Sequence, residues 1–361
     1  MRDPAVLGHD APMLDLHTLE APGALPALPP APLGFGRVLG PFALLADHHP
    51  DRGWHHARIV RREEATALAA SASVQYALSV FEGMKALRGP SGAIHLWRPE
   101  RHAARFAKSA VRVTMPAFPE DAFVDAARAI VRAHEAWVPA HGKGSLYLRP
   151  TLYATEEFLG VRPAQAHQLA IVVSAVDDFY NKPLRLWAET EYVRASPGGL
   201  GDAKTGANYA ASLLAAERAK ERGYDQVLWL DAHQHDLLNE AGTMNVFVVV
   251  DGVVRTPALD GTILPGVTRD ACLTLLRSRG VPCEETAISL AELQAAAKRG
   301  ALTEAFGTGT AAIVAPIAAI GTAAGTIELK APGEVATTLR SALEAIQQGV
   351  AEDPLGFRVP V

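Results

Sequence analysis

The stretch Gly199-Leu200-Gly201-Asp202-Ala203-Lys204-Thr205-Gly206-Ala207-Asn208-Tyr209 sets one lysine among glycines, just before a run of helical periodicity from about Asn208 to Arg222. A loop lysine is ordinarily a solvated surface charge. Glycines on both sides permit the tightly bent backbone that presents a single amine inward, and a desolvated lysine loses its proton readily and attacks carbonyl carbon. Toward the C-terminus this loop is followed by a strand at Gln226 to Leu230. A hairpin comes next, Asn245 to Val250 and Val253 to Thr256, joined by Asp251-Gly252, which supplies the positive φ angles of a type I′ turn. A helix from Val267 to Arg279 and a mostly helical region from Gly333 to Val350 complete this half.

Toward the N-terminus, Asp177 to Thr190 is polar and aromatic, carries Pro183 and interrupts the periodic pattern, which places an inter-domain connection there. Before it, Ala86 to Trp97 reads as a hairpin turning at Gly-Pro-Ser-Gly. Helices follow at about Arg101 to Val113 and Asp121 to Trp137, then strands at Ser145 to Tyr153 and Gln168 to Val176. The Pro/Ala/Gly-rich segment Ala21 to Gly36 favours extended structure and is expected to lie as an arm on a domain surface. The expected organisation is an arm over 1–36, a small domain over 37–178, an inter-domain loop over 179–194 and a large domain over 195–361.

Composition sets the outer limits. The 361 residues are 49% hydrophobic and 20% charged, with 34 basic against 39 acidic side chains and a net charge of −5. That balance speaks against a nucleic-acid binder and against extended disorder. The cysteines, Cys272 and Cys283, form no C-x-x-C pair, and a reducing cytoplasm is the simplest compartment. Met1 to Leu16 carries Asp3, His9, Asp10 and Asp15 and lacks the apolar run of a secretory signal. The best candidate for a membrane span, Gly307 to Gly325, is poor in Leu, Ile and Phe, and reads as buried loop and strand.

Four further places can carry chemistry. Glu240, in Glu240-Ala241-Gly242-Thr243-Met244-Asn245, enters a buried strand, which needs a positive or protic partner. A pyridinium nitrogen of a cofactor is one such partner, and an exposed glutamate at a strand start is the plainer reading. Leu264-Pro265-Gly266-Val267-Thr268-Arg269 opens a helix with free N–H groups suited to an anion. Phe306-Gly307-Thr308-Gly309-Thr310-Ala311 offers hydroxyls and backbone donors for phosphate or carboxylate. Histidines and aspartates gather at Asp47-His48-His49, at His55-His56 and at Asp231-Ala232-His233-Gln234-His235-Asp236, but without a metal-ligand spacing, so solvated loops account for them better than a metal site.

Together these loops resemble the branched-chain amino acid aminotransferases, within the class IV group of pyridoxal-phosphate enzymes. The resemblance runs from about Gly34 to Val361. It rests on Gln75-Tyr76, Phe81-Glu82-Gly83-Met84-Lys85-Ala86, Leu96-Trp97-Arg98-Pro99, Ser145-Leu146-Tyr147-Leu148-Arg149-Pro150, the Lys204 loop, Gln226 to Leu230, Glu240 to Phe247, Ile263 to Arg269 and Phe306 to Ala311. It implies an α/β (mixed α+β) chain with a small N-terminal domain, a larger C-terminal domain holding a barrel-like sheet, and pyridoxal 5′-phosphate in the cleft between them.

By the same resemblance Lys204 would bind the cofactor covalently and move the proton between substrate Cα and cofactor C4′. Glu240 would face the pyridine nitrogen, and Tyr209 the phenolic oxygen. Arg105, Val267, Thr268 and Thr310 would hold the phosphate. The substrate side chain would meet Phe81, Tyr76 and Tyr147, with Tyr209, Thr243 and Ala311 nearby. Arg149 would receive the second carboxylate of glutamate, and Thr310 and Ala311 the α-carboxylate. The reaction implied is exchange between Leu, Ile or Val and 2-oxoglutarate. A homodimer is implied, in which the partner's small-domain loop closes the site, with no metal, nucleic acid or membrane as partner. The family's usual Gly-Gly after the lysine is Gly206-Ala207 here, its Thr-Asp-His-Met stretch is Ala46-Asp47-His48-His49, and the C-x-x-C of some animal members is replaced by Ala312 and Ala315.

Other readings keep the fold and change the reaction, as in D-amino acid or amine aminotransferases and aminodeoxychorismate lyases. A metal-dependent hydrolase using the Asp/His clusters and a non-catalytic binding module are the rivals from other classes.

Overall fold

The computed structural model describes residues 14–177 and 182–361. The start of the arm, most of the Met1 to Leu16 stretch and the beginning of the expected inter-domain loop lie outside the described residues. The first domain contains β1 (Leu39–His49), β2 (Gly53–Arg61), α1 (Ala72–Gln75), β3 (Ser79–Phe81), β4 (Met84–Arg88), β5 (Ile94–Trp97), α2 (Pro99–Arg112), α3 (Glu120–Ala133), β6 (Ser145–Ala154) and β7 (His167–Val176). The second contains β8 (Leu184–Ala188), α4 (Gly206–Ala211), α5 (Leu213–Glu221), β9 (Gln226–Leu230), β10 (Leu238–Ala241), β11 (Met244–Val250), β12 (Val253–Thr256), α6 (Val267–Ser278), β13 (Cys283–Glu285), α7 (Leu290–Lys298), β14 (Leu302–Gly309), β15 (Ile313–Thr322), β16 (Gly325–Glu328) and α8 (Glu334–Gln347). A last strand, β17 (Arg358–Pro360), returns to the first domain.

The first sheet runs β17-β5-β4-β6-β7-β1-β2, with β3 also paired to β6. Helices α2 and α3 bury an apolar stripe against it, with Phe106, Phe123 and Ile130 meeting Leu44, Leu148 and Ile171 in one core. Pro99 opens α2, where a missing N–H costs nothing, and Glu120 and Asp121 suit the positive start of α3.

The second sheet runs β10-β9-β8-β15-β14-β11, and β11 pairs back with β10, closing a six-stranded barrel. Strands β12, β13 and β16 extend it outside the ring. The barrel-like sheet implied by the resemblance is therefore present.

Two boundaries differ from the expectation. Leu184–Ala188 is not loop but a barrel strand between β9 and β15, parallel to both. Its Leu184, Leu186 and Ala188 alternate inward, a period-two signal that Pro183 and the surrounding polar residues obscured. The C-terminal end also leaves the large domain, because β17 pairs with β5 of the first sheet. The expected helix from Asn208 to Arg222 is divided at Ser212 into α4 and α5. The Ala46-Asp47-His48-His49 segment forms the end of β1 between β2 and β7, with a register shift against β2 between Leu45 and Asp47.

Candidate active site

The two domains meet along the Lys204 loop, the turn after β3, strand β6, the start of α6 and the turn from β14 to β15. Between them lies a cavity of about 290 Å³. Lys204, Arg105, Tyr209, Val267, Thr268, Thr310, Phe81, Tyr147, Arg149, Thr243 and Ala311 all line it. Phe35, Gly83, Asn245, Leu264, Gly266 and Thr308 are also in its wall.

Lys204 is half-buried, and its Nζ donates to the Tyr209 hydroxyl at 2.6 Å. The amine sits 4.6 Å from the centre of the Phe81 ring, which meets Tyr209 edge to face. Asn208 steadies the loop by donating to the carbonyls of Leu200 and Ala203. Ala207 lies within α4 without a positive φ, so alanine replaces glycine there at no backbone cost.

Arg105 is fixed by a carboxylate that composition and spacing gave no reason to single out. Its Nε and Nη2 donate to the Glu82 oxygens at 2.6 and 2.9 Å, and Nη1 donates to the Pro265 carbonyl at 3.0 Å. His102 Nδ1 lies 2.7 Å from the same carboxylate. Glu82 is fully buried. Burial alone would raise its pKa, but the Arg105 and His102 neighbours hold it well below the usual carboxylate range. Burial lowers the His102 pKa in spite of Glu82, so its ring is neutral and donates through Nδ1–H. With three N–H groups committed, the Arg105 fork keeps two for a ligand.

Glu240 stands behind the cavity wall rather than in it. Its Oε1 accepts the Leu264 N–H at 2.7 Å and its Oε2 lies 2.9 Å from Arg194 Nε. Burial pushes its pKa up, outweighing Arg194, the Leu264 amide and the more distant Lys204 and Arg105. Arg194 also donates to the Thr262 and Gly201 carbonyls, tying Glu240 to the start of the lysine loop.

Tyr76 departs furthest from its expected place. It is 45% exposed, does not line the cavity of its own chain, and donates its hydroxyl to the Leu159 carbonyl. The opposite surprise is Phe35 of the arm, which packs edge to face on Tyr147 at 4.8 Å inside the cavity. Asp177 holds it there by accepting the Leu33 and Gly34 amides at 2.8 and 3.1 Å. The proline-rich composition that marked an extended arm gave no sign of where its one aromatic side chain would go.

Tyr147 and Arg149 share a face of β6, two residues apart. Arg149 lies over the rings of Phe81 and Tyr147 and donates to the Tyr147 hydroxyl at 3.2 Å. A Cβ at Gly83 would fall on that hydroxyl, so the turn after β3 requires glycine. The Asp231 cluster is a capped turn, since its carboxylate accepts the backbone N–H groups of His233, Gln234, Asp236 and Leu237.

The chain matches the Amino-transferase class IV family profile over residues 79–320. It is 41% identical over 338 residues to the branched-chain-amino-acid transaminase 1 of Bacillus subtilis (strain 168), covering 92% of this chain and 95% of that one. The chain belongs to the branched-chain group of class IV aminotransferases. A relative from Streptomyces coelicolor, a probable branched-chain-amino-acid aminotransferase, is 42% identical over 90% of this chain and 91% of its own. The branched-chain aminotransferase of Thermobaculum terrenum, solved in its PLP form, superposes with a TM-score of 0.71 at 26% identity over 88% of this chain and 97% of that one. The branched-chain aminotransferase of Thermoproteus uzoniensis, solved with norvaline, gives 0.70 at 26% identity over 88% and 99%.

A phosphorylated aldehyde cofactor fits what this cavity leaves unsatisfied. Among the described residues the Thr308 hydroxyl is buried without a hydrogen-bond partner, and it faces the same space as the Arg105 fork and Thr310. The first N–H groups of α6, at Val267 and Thr268, have no carbonyl within their own helix to reach. These donors and the Lys204 amine line the same cavity, and Arg105 reaches the segment that opens α6 through the Pro265 carbonyl.

Proposed function

We propose that this chain transfers the amino group of leucine, isoleucine or valine to 2-oxoglutarate, giving branched 2-oxo acids and L-glutamate, with pyridoxal 5′-phosphate as cofactor. The observation that carries this is the convergence of one lysine amine, an anion cup and an aromatic wall on a single cavity. When bound, the cofactor supplies an electron sink for the charge left on substrate Cα. Arg105, the α6 amides at Val267 and Thr268, and the hydroxyls of Thr308 and Thr310 would hold its phosphate. The Tyr209 hydroxyl would meet its phenolic oxygen. Glu240, from behind the wall, would face its ring nitrogen.

Lys204 Nζ accepts the proton leaving substrate Cα, and its contact with the Tyr209 hydroxyl aims it. Phe81, Tyr147 and Phe35, with Thr243 and Ala311, would bury the branched side chain, at about 0.8 kcal/mol per methylene. Arg149, whose Nε is buried without a partner among the described residues, would receive the side-chain carboxylate of glutamate. The backbone of Thr310 and Ala311 would take the α-carboxylate.

This reading includes a homodimer. Tyr76 belongs with Leu68, Val74, Phe158, Leu159 and Val161 to an exposed apolar surface, and a second copy is the occupant that would bring this tyrosine to a cavity. It also includes a cytoplasmic location, which the unpaired Cys272 and Cys283 suit. No helix among the described residues is long and apolar enough to cross a membrane.

The test is a visible spectrum of the protein loaded with pyridoxal phosphate. L-Leucine should bleach the cofactor band and 2-oxoglutarate should restore it. A band indifferent to leucine but bleached by a D-amino acid or an amine would assign the chain to a different class IV reaction.

A further inference from the structure

Helix α2 carries Arg105, Lys108, Ser109 and Arg112 at i, i+3, i+4 and i+7, the spacing that gathers side chains on one helix face. Arg105 serves the anion end of the cavity. The other three reach across to the Lys204 loop of the second domain. Lys108 Nζ lies 2.9 Å from Asp202. Arg112 Nη2 donates to the carbonyls of Gly198 and Gly199, each at 2.9 Å. The Ser109 hydroxyl, in a residue 1% exposed, accepts the backbone N–H of Lys204 itself at 3.0 Å. On its other side the Lys204 carbonyl accepts the Phe81 N–H at 3.0 Å, and Thr205 Oγ1 donates to the Ser79 carbonyl at 2.7 Å. The main chain of the reactive lysine is thus gripped before and after by the first domain.

We propose that Ser109 is a positioning residue for Lys204, and that the α2 stripe sets the separation of the lysine amine from the Arg105 guanidinium as one rigid unit. The inference rests on the reading of Lys204 and Arg105 as the two anchors of the cofactor. A glycine-rich loop has wide backbone freedom of its own. One turn of α-helix, a rise of about 5.4 Å, has almost none, so Arg105 and Ser109 cannot shift independently. Removing the Ser109 acceptor leaves the Lys204 N–H unpaired in a half-buried place, and the loop relieves this by moving, which carries Nζ with it. The exposed Lys108 and Arg112 contacts add register to the loop and little energy.

The experiment compares the full chain, loaded with pyridoxal phosphate, as wild type, Ser109→Ala, and the double variant Lys108→Gln/Arg112→Gln, whose changes lie outside the core. Four quantities are read: the pH midpoint of the visible band, kcat and KM for leucine, and the thermal midpoint. Ser109→Ala should keep a visible band but move its pH midpoint by about half a unit or more. Its kcat should fall about tenfold to a hundredfold, with KM within about twofold. The double variant should move the band midpoint in the same direction by less.

A wild-type band midpoint and kcat in Ser109→Ala overturn the proposal, as does an effect confined to the thermal midpoint. If Ser109→Ala does not fold, the double variant decides by the same two readings. A wild-type protein whose band ignores leucine marks a different failure, that of the functional reading on which the proposal rests.

Discussion

Glu82 and Glu240 are carboxylates buried beside the same cavity, and their surroundings drive them in opposite directions. Arg105 and His102 hold Glu82 ionised, whereas burial pushes Glu240 toward its protonated form despite Arg194. For Glu82 the folded pKa lies below the unfolded one, so its stabilisation is complete above about pH 4.3 and is lost progressively as pH falls below that value. Glu82→Gln should flatten this acid slope of the thermal midpoint and cost about 3 to 5 kcal/mol at neutral pH, because Arg105 is left buried with its counter-charge and one of its three acceptors gone. A variant whose thermal midpoint falls on acidification as steeply as that of wild type would remove Glu82 from this role. Lys204→Ala should lose the leucine-responsive visible band and at least about a thousandfold in turnover, and near-normal turnover would sink the assignment of the lysine. Lys204 was legible because glycines close to a lysine are a local signal. Glu82 was not, although it sits in a motif run, because its partner Arg105 is twenty-three positions away and no spacing announces a contact across a sheet and a helix.

Elements with strong local patterning were readable, and those defined by distant pairing were not. The Asp251-Gly252 hairpin and the helices α2, α3, α6 and α8 stand close to where periodicity placed them. Strand β8 was lost because five residues carry a weak signal and its neighbours on both sides, β9 and β15, are supplied by later sequence. The arm shows the same limit in its contribution to the site. Its extended character followed from its prolines, but Phe35 reaches the cavity only through the two amides that Asp177 holds. An edge-to-face aromatic contact is worth about 0.5 to 1.5 kcal/mol. Phe35→Ala should therefore raise KM for leucine several-fold and change kcat less, and Asp177→Asn should shift KM in the same direction. Steady-state kinetics with leucine and alanine as alternative donors check this, since the smaller donor should be the less affected of the two.

At the scale of the whole molecule, the chain is closed on itself by contacts the sequence does not advertise. Strand β17 adds a last strand to the first sheet, and Arg98 lies 4.3 Å from the Phe357 ring while its Nη2 reaches Asp270 at the start of α6. These contacts tie the two domains together beside the cavity. What one chain lacks is a use for its exposed apolar surface around Tyr76, where Val161 is 87% exposed and Leu159 63%. Residues this apolar and this open, next to a tyrosine that the family resemblance sets against substrate, are expected to be covered by a second copy. Light scattering on the loaded protein should therefore give twice the mass of the 361-residue chain. Val161→Asp places a charge on a surface residue whose own fold does not depend on it, so it should yield a folded monomer. That monomer should keep the cofactor band, because the phosphate cup comes from one chain, while KM for leucine rises at least about tenfold, the equivalent of 1.4 kcal/mol of lost wall. A Val161→Asp protein that stays dimeric would move the interface elsewhere. A monomer with unchanged KM would show that each chain completes its own substrate pocket.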